Sequence, residues 1–446
     1  MTLPPKPAAR ADRVSLWGHL LAFRRDILSA QPARLYRAWM AEFRTPFFRS
    51  YLCNDPALVR QVLDLAPQDF PKSARVTEGL TPLLGRSVFV TNGAEWQRQR
   101  RIIDPAFEGG RLRAVFPAIW AAGEAAVARM PEGEVEIETA TSHVAADVIF
   151  RTLFSIPIED RMAQSVFRAF QTYQRSAPIL NLAAFLPLPR WFPRLHRRVT
   201  RRSAAEIRGL ITRLTTDRAA AIATGTAPDD LATKIMTTPD PETGTPFATD
   251  EMVDQVAIFF LAGHETSASA LAWALYLLAT HPEVQDRVAA EVAGLEPRFG
   301  ALSGLRLTRD VFREALRLYP PVPMLVRESR TGQIFRGRKV APGAQVVISP
   351  WHLHRHERLW DNPDSFEPDR WASAGARDVA REGYLPFSSG PRVCPGAGFA
   401  MLEGTLLLAQ LVRAFRFNAR TDRVPVPVAH LTVRARDGIW LDVRRR

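Results

Sequence analysis

Cys394 lies in a sequence setting that could hold a metal ion. Pro395 and an apolar helical pattern to about residue 415 follow it. Since Pro suits the first turn of a helix, the pattern predicts Cys394 at a helix N-terminus, where the dipole and free N–H groups stabilise a thiolate. Gly390 permits a tight turn, Gly396 permits a flat ligand to come close, and Arg392 can donate to a carboxylate. A structural cysteine in a turn is the usual interpretation of a lone Cys, but it leaves the glycines and the arginine unexplained.

An acid and an alcohol, Glu265 and Thr266, interrupt 256–280, the most apolar segment of the chain. Its length would suit a transmembrane helix, but a carboxylate near the bilayer centre is costly. We therefore predict a long helix through the centre of a soluble protein, with Gly263 leaving room for a small ligand. An acid next to an alcohol can relay protons, although a kink with a buried polar pair would give the same pattern.

Two further residue pairs have helical spacing. Glu314 and Arg317 lie three residues apart and share a helix face, where a surface ion pair is the ordinary expectation. Trp96 and Arg100 lie four apart, and their indole and guanidinium N–H groups can both donate to an anion. The plainer alternative is a core tryptophan with an incidental arginine.

The elements that position these residues are predicted to form one domain, 1–446, with an N-terminal extension over 1–40 and no clear transmembrane anchor. Apolar residues make up 46% of the 446 and charged residues 24%, which is ordinary globular composition. The patterning predicts a mainly α chain with small β-sheets. It includes a helix opened by an Asn92/Glu95 capping box, a loop over 73–92, a polar loop over 223–247, and a terminal hairpin about Asp437-Gly438.

The formal net charge is +13, which could suit nucleic acid, an anionic membrane or an acidic protein. No nucleic-acid module accompanies it, so we read most of it as a solvated basic surface. Cys53 is expected to be a buried small side chain. His352, His354 and His356 are expected in a turn near the surface rather than at a metal.

The run from Phe387 to Gly396, with Gly390, Arg392 and Cys394 inside it, matches the pattern F-x-x-G-x-R-x-C-x-G and resembles the haem-binding loop of the cytochrome P450 family. Other segments agree in order and spacing over roughly residues 45–440. Those segments resemble the oxygen-binding groove of the central helix (262–266), the E-x-x-R helix (314–317), the segment that supplies its third charged partner (366–370) and the helix over the haem propionates (96–100).

The resemblance implies a mainly α fold (α+β) with the long central helix over the haem, and it implies roles for individual residues. Cys394 would bind the iron, and Thr266 and Glu265 would deliver protons to O₂. Glu314, Arg317 and Arg370 would form a buried structural cluster. The haem contacts would come from Trp96, Arg100, Ala262, Gly263, Arg327, Phe387, Arg392 and Gly396. Some fatty-acid ω-hydroxylases of the family attach haem through a Glu at the position of Ala262, so non-covalent haem b is expected here.

The implied activity is insertion of one oxygen atom from O₂ into a C–H bond of a hydrophobic molecule, such as a lipid or terpenoid, with a cytoplasmic location. Electrons would come from a ferredoxin or flavodoxin-type donor and its reductase. The donor would dock at a basic surface formed by Arg98, Arg101, His354, Arg355 and Arg358. Substrate contacts are expected in 76–90, 259–263 and 322–326, and 186–193 would form a lid. A peroxide-driven peroxygenase and a non-enzymatic haem sensor are the alternatives.

Overall fold

The computed structural model describes residues 3–44, 48–65, 67–176 and 198–446. The chain divides into two compact units. The first contains Met1–Phe70, Gly123–Val144 and Thr266–Arg446, and the second contains Pro71–Ala122 and Ala145–Glu265. The single domain expected from sequence remains a prediction.

Helices account for most of the regular structure. They are α1 (Leu16–Arg25), α2 (Pro56–Arg60), α3 (Ala74–Leu84), α4 (Gly93–Ile103), α5 (Gly109–Arg129), α6 (Ile137–Phe154), α7 (Arg161–Ser176), α8 (Arg198–Ala223), α9 (Leu231–Thr237), α10 (Thr249–Thr280), α11 (Pro282–Val292), α12 (Arg306–Leu318), α13 (Pro350–Leu353), α14 (Ala376–Gly383) and α15 (Ala397–Ala414). The strands are short and are β1 (Met40–Arg44), β2 (Arg49–Cys53), β3 (Gly133–Glu136), β4 (Leu325–Glu328), β5 (Gln333–Phe335), β6 (Arg338–Val340), β7 (Gln345–Ile348), β8 (Phe415–Ala419), β9 (Pro427–Ala429), β10 (Val433–Ala435) and β11 (Trp440–Arg445).

The described strands form small separate sheets in the first unit. The largest has the order β1-β2-β7-β4, with β2 and β7 parallel and the other pairs antiparallel. A second sheet has the order β3-β11-β8, and two hairpin-like pairs join β5 to β6 and β9 to β10. The predicted mainly α chain with small β-sheets is confirmed.

The four-stranded sheet packs on α2 through a continuous apolar cluster that includes Tyr51, Leu58, Val346 and Ile348. Cys53 is fully buried in this cluster, as expected, and burial raises its pKa to about 12. Its thiol is therefore protonated at neutral pH and unsuited to binding a metal.

Helix α10 begins at Thr249, seven residues before its apolar segment, 256–280. The Ala248 N–H donates to Glu251 at 2.9 Å, which ties down the first turn, and the helix ends where Pro282 begins the next one. In the first unit, Trp273 of α10 stacks on Tyr319 at 3.9 Å between ring centroids. These contacts fix the half of the helix that follows Thr266.

Several local predictions are wrong. The loop expected over 73–92 contains α3, and the loop expected over 223–247 contains α9. Asn92 does occupy the N-cap of α4, but no capping box forms because Glu95 pairs with Arg86 at 2.6 Å instead. The lid expected over 186–193 lies outside the described residues.

The predicted terminal hairpin is also wrong in its pairing. The turn exists, with Gly438 at a φ of +78°, but β10 pairs with β9, whereas β11 pairs with β3 and β8. Alternation of apolar residues identified both strands, but it could not identify partners that lie far away in sequence.

Among the described residues, one helix is long and apolar enough to cross a membrane, α15. Most of its residues are buried inside the protein. A core helix passes the same test of length and composition.

Candidate active site

The candidate metal ligand, Cys394, lies on an irregular loop and is exposed. Its N–H donates to the carbonyl of Phe387 at 2.9 Å, which closes the loop. Gly396 is the N-cap of α15 and Ala397 is its first residue. Cys394 and Pro395 therefore precede the helix, and the prediction that Pro395 occupies its first turn is wrong. The thiol is nevertheless accessible immediately before a helix N-terminus.

The loop holds its shape at Gly390, where φ is +67°, a conformation that favours glycine. A Cβ there would overlap the carbonyl oxygen of Leu63 and would lie 2.7 Å from Asp64 Oδ1. The Ser389 hydroxyl donates to the same Asp64 oxygen at 2.7 Å. Because the turn after α2 presses against the loop, only a glycine lets the loop come this close.

Arg327, on β4, lies near Arg392 of the Cys394 loop and is only 7% exposed. Burial and the charge of Arg392 together lower the pKa of Arg327 to about 10. Within the described ranges Arg327 has no carboxylate partner. A buried guanidinium next to a second one requires an anion. A haem propionate fits that requirement, and the accessible Cys394 thiol fits the iron, so the residues of the first unit suit the group that the resemblance implies.

In the second unit, Trp96 and Arg100 lie on α4, as their spacing predicts. Trp96 is 9% exposed, and the Lys72 ammonium lies 5.9 Å from its ring centroid. Arg100 Nε is 2.7 Å from Asp104, one turn further along the same chain. Burial raises the pKa of the Asp104 carboxyl. An anion bound to Arg100 would therefore share the guanidinium with the Asp104 carboxyl.

One face of α10 is accessible although the helix is otherwise largely buried. Phe259, Gly263 and Thr266 are half-buried and Ala262 is exposed, at the spacing of a single helix face. A Cβ on Gly263 would overlap the side chain of Ile149. Glycine at this position is thus explained by packing against α6, in addition to the small-ligand space that sequence suggests. The accessible face offers an alcohol among small and apolar side chains.

Glu265 and His264 lie on the buried side of the same helix. The His264 ring packs against Phe167 and Phe260, with centroid distances of 5.6 and 5.5 Å. Burial and the nearby Glu265 charge raise the pKa of Tyr173 to about 12. Because neighbouring helix positions diverge, Glu265 reaches the accessible face only through side-chain rotation or water.

The Glu314 carboxylate is the centre of a buried charge cluster. It contacts Arg317 at 2.8 Å and Arg370 at 3.0 Å, and both Glu314 and Arg317 are fully buried. Arg317 also donates to three carbonyl groups, those of His354, Pro363 and Ser365. Its donors are thus shared between one carboxylate and the backbone of the segment leading to the Cys394 loop.

Sequence reasoning missed Glu403, a carboxyl buried in α15 that accepts a hydrogen bond from Ser267 at 2.6 Å. Burial raises its pKa to about 8. The signal was present in the sequence, because Glu403 is the only charged residue between Ala397 and Gln410 of this apolar helix.

The predicted location of the three histidines is wrong. His352, His354 and His356 are buried rather than near the surface. Burial lowers the pKa of His352 and His354 to about 3, and the described residues contain no cluster of His, Cys, Asp and Glu suited to a metal ion.

The predicted basic docking face is wrong for His354 and Arg355, and docking at the other three residues stays a prediction. Arg98 pairs with Glu251 at 2.7 Å, and Arg101 pairs with Asp240 and Glu242 at 2.6 and 2.9 Å. His354 and Arg355 are buried, which leaves Arg358 as the one exposed member of the predicted set. Local carboxylates, which spacing could not reveal, offset the charges on α4.

Comparison with known proteins identifies the family. Residues 11–438 match the family model described as Cytochrome P450. The chain is 33% identical over 424 residues to cyclooctat-9-en-7-ol 5-monooxygenase of Streptomyces melanosporofaciens, covering 93% of this chain and 89% of that protein. It is 31% identical to pentalenene oxygenase of Streptomyces avermitilis, covering 86% and 85%. The chain therefore belongs to the cytochrome P450 family and is a monooxygenase.

Proposed function

We propose that the chain inserts one oxygen atom from O₂ into a C–H bond of a hydrophobic small molecule, with Cys394 as the thiolate ligand of a haem iron. The observation that carries this proposal is the accessible Cys394 thiol on a loop whose Arg392 lies near Arg327, a buried guanidinium that has no carboxylate partner among the described residues. A thiolate and a pair of cations are the donor set that a haem with two propionates needs.

The cofactor is haem b, held without a covalent bond. Cys394 would hold the iron, Arg327, Arg392, Arg100 and Trp96 would bind propionates, and Phe387, Gly396, Ala262 and Gly263 would lie against the ring. When bound, the haem supplies the oxidative chemistry on O₂. The protein orients the substrate, excludes water and supplies protons.

Thr266 is the residue proposed to hold a proton next to O₂, because its hydroxyl lies on the accessible face of α10. Glu265 would supply that proton from the buried side. We expect Thr266→Ala to retain substrate binding but to divert electrons from product to peroxide or water. Ser269→Ala is the control, since Ser269 donates to the Val433 carbonyl on the buried side of the helix. An unchanged yield of product per electron in Thr266→Ala would exclude this role.

The proposed substrate is a terpene or a similarly apolar molecule. Two relatives that match most of this chain are named for oxidation of cyclooctat-9-en-7-ol and pentalenene. The candidate contact segments 76–90, 259–263 and 322–326 are mainly apolar, and Phe259 and Ala262 belong to the accessible face of α10. A spectral binding screen of cyclic terpenes against polar compounds of similar size tests this choice. Binding confined to polar compounds would refute it.

The proposed electron source is a separate ferredoxin or flavodoxin-type protein with its reductase, in the cytoplasm. Turnover with O₂ and such a donor is therefore the direct test of the activity. If peroxide alone gave faster product formation than O₂ with the donor, the peroxygenase alternative would hold. Haem binding without any product would favour a sensor.

A further inference from the structure

Helix α1 presents an apolar face to solvent. Trp17 is 72% exposed and Leu21, one turn later, is 51% exposed, while Val14 just before the helix is 42% exposed. The opposite face is the one that packs on the protein: the His19 ring stacks on Phe43 of β1 with centroids 6.2 Å apart and planes 10° apart. A surface helix normally turns its polar side outward, so the exposure of Trp17 and Leu21 departs from the usual arrangement.

This arrangement is concentrated in one part of the chain. Among the described residues, ten large hydrophobic side chains are exposed, and four of them lie between Leu3 and Leu21. A single exposed hydrophobic side chain requires no explanation, but three at helical spacing on one face indicate a surface that is covered by something.

The charge of this part of the chain indicates what covers it. Residues 1–25 contain five basic residues and one acidic residue, Asp12, which pairs with Arg34 at 3.7 Å. Arg13 and Arg25, just before and at the end of α1, are exposed. Exposed Trp and Leu flanked by arginines match the interface of a membrane with anionic lipids. A second copy of this face would instead bring like charges together.

We propose that α1 and the residues before it dock on an anionic membrane surface. Trp17 and Leu21 enter the headgroup layer, and Arg13 and Arg25 contact lipid phosphates. The helix has ten residues, about half of what a membrane span needs, so it lies in the plane of the surface. Docking of this kind places the protein next to the lipid bilayer, in which apolar molecules accumulate.

Sedimentation of the full-length haem-loaded protein with vesicles tests the proposal. We expect binding to vesicles of phosphatidylcholine mixed with phosphatidylglycerol, little binding to phosphatidylcholine alone, and weakening by salt. Trp17→Ser with Leu21→Ser should lower the affinity at least about tenfold. Arg13→Glu with Arg25→Glu should lower it by roughly tenfold or more.

Two matched controls separate a specific surface from general properties of the chain. Val424→Ser removes another exposed hydrophobic side chain, and Arg377→Glu with Arg381→Glu makes the same change in net charge at exposed positions on α14. Both should bind like the parent, and every variant should keep its haem absorption spectrum. Equal binding by the Trp17/Leu21 variant, or no binding by the parent, overturns the proposal. Loss of a dimer rather than of vesicle binding in that variant would assign the face to a second copy instead.

Discussion

The hydroxyl of Ser267 on α10 donates a hydrogen bond to the Glu403 carboxyl on α15 across 2.6 Å, and both side chains are buried. Burial raises the pKa of Glu403 from 4.5 to about 8, although the bond from Ser267 acts in the opposite direction. The carboxyl is therefore largely neutral at pH 7. Because Ser267 directly follows Thr266, this bond fixes the rotation of α10 where its accessible alcohol lies.

Glu403→Gln should change the pH dependence of stability. A carboxyl whose pKa is raised by folding stabilises the protein fully below its ordinary value of 4.5, and this contribution is lost as the pH rises through about 8. Glutamine keeps the bond to Ser267 but cannot ionise. The variant should therefore be more stable than the parent at pH 9, by an amount on the order of a few kcal/mol, and should lose this advantage at acid pH.

Urea unfolding at a series of pH values measures the effect. Glu382→Gln, at an exposed position on α14, should leave the pH profile unchanged. If the difference between Glu403→Gln and the parent were constant across pH, the carboxyl would not change its ionisation on folding in this range.

The charge cluster at Glu314 gives a second prediction. Glu314→Ala would leave Arg317 and Arg370 without their shared carboxylate, and removal of one partner from a buried ion pair costs about 3–5 kcal/mol. Asp369→Ala is the control, because its pair with Arg287 is exposed and such pairs contribute about 1 kcal/mol or less. Equal losses in the two variants, measured by denaturant unfolding, would mean that burial has no energetic consequence here.

The attachment of the haem gives a third prediction. Ala262 has no carboxylate with which to form an ester, so acidified organic solvent should extract the haem completely from the parent protein. Ala262→Glu places a carboxylate on the accessible face of α10 and should retain some haem on the chain after turnover. Retention by the parent would show a covalent bond at another residue.

The residues of the candidate site could be predicted where the chemistry is local in sequence. The loop from Phe387 to Gly396 carries the proposed iron ligand, the turn glycine and a cation within ten residues, and the helix after it begins within three residues of Cys394. Glu314 and Arg317 share one turn of α12. Spacing on a helix is a direct consequence of its geometry, so such sets can be read from sequence.

The sequence could not predict ion-pair and strand partners that lie far apart along the chain. Spacing alone predicts Arg101 as a free surface charge, because its partners Asp240 and Glu242 lie about 140 residues away. Alternation of apolar residues predicts that β11 pairs with its neighbour across the turn, yet its partners are β3 and β8. The burial of the histidines in 352–356 could not be predicted for the same reason, since it depends on packing against distant segments.

The central claim is that Cys394 binds the haem iron, and the absorption spectrum of the reduced CO complex tests it most directly. The parent should give the absorption typical of thiolate-ligated haem. Cys394→Ala should lose this spectrum, and Cys53→Ala should keep it because Cys53 is a buried core thiol. A thiolate-type spectrum that survives in Cys394→Ala, or disappears in Cys53→Ala with haem still bound, would contradict the account.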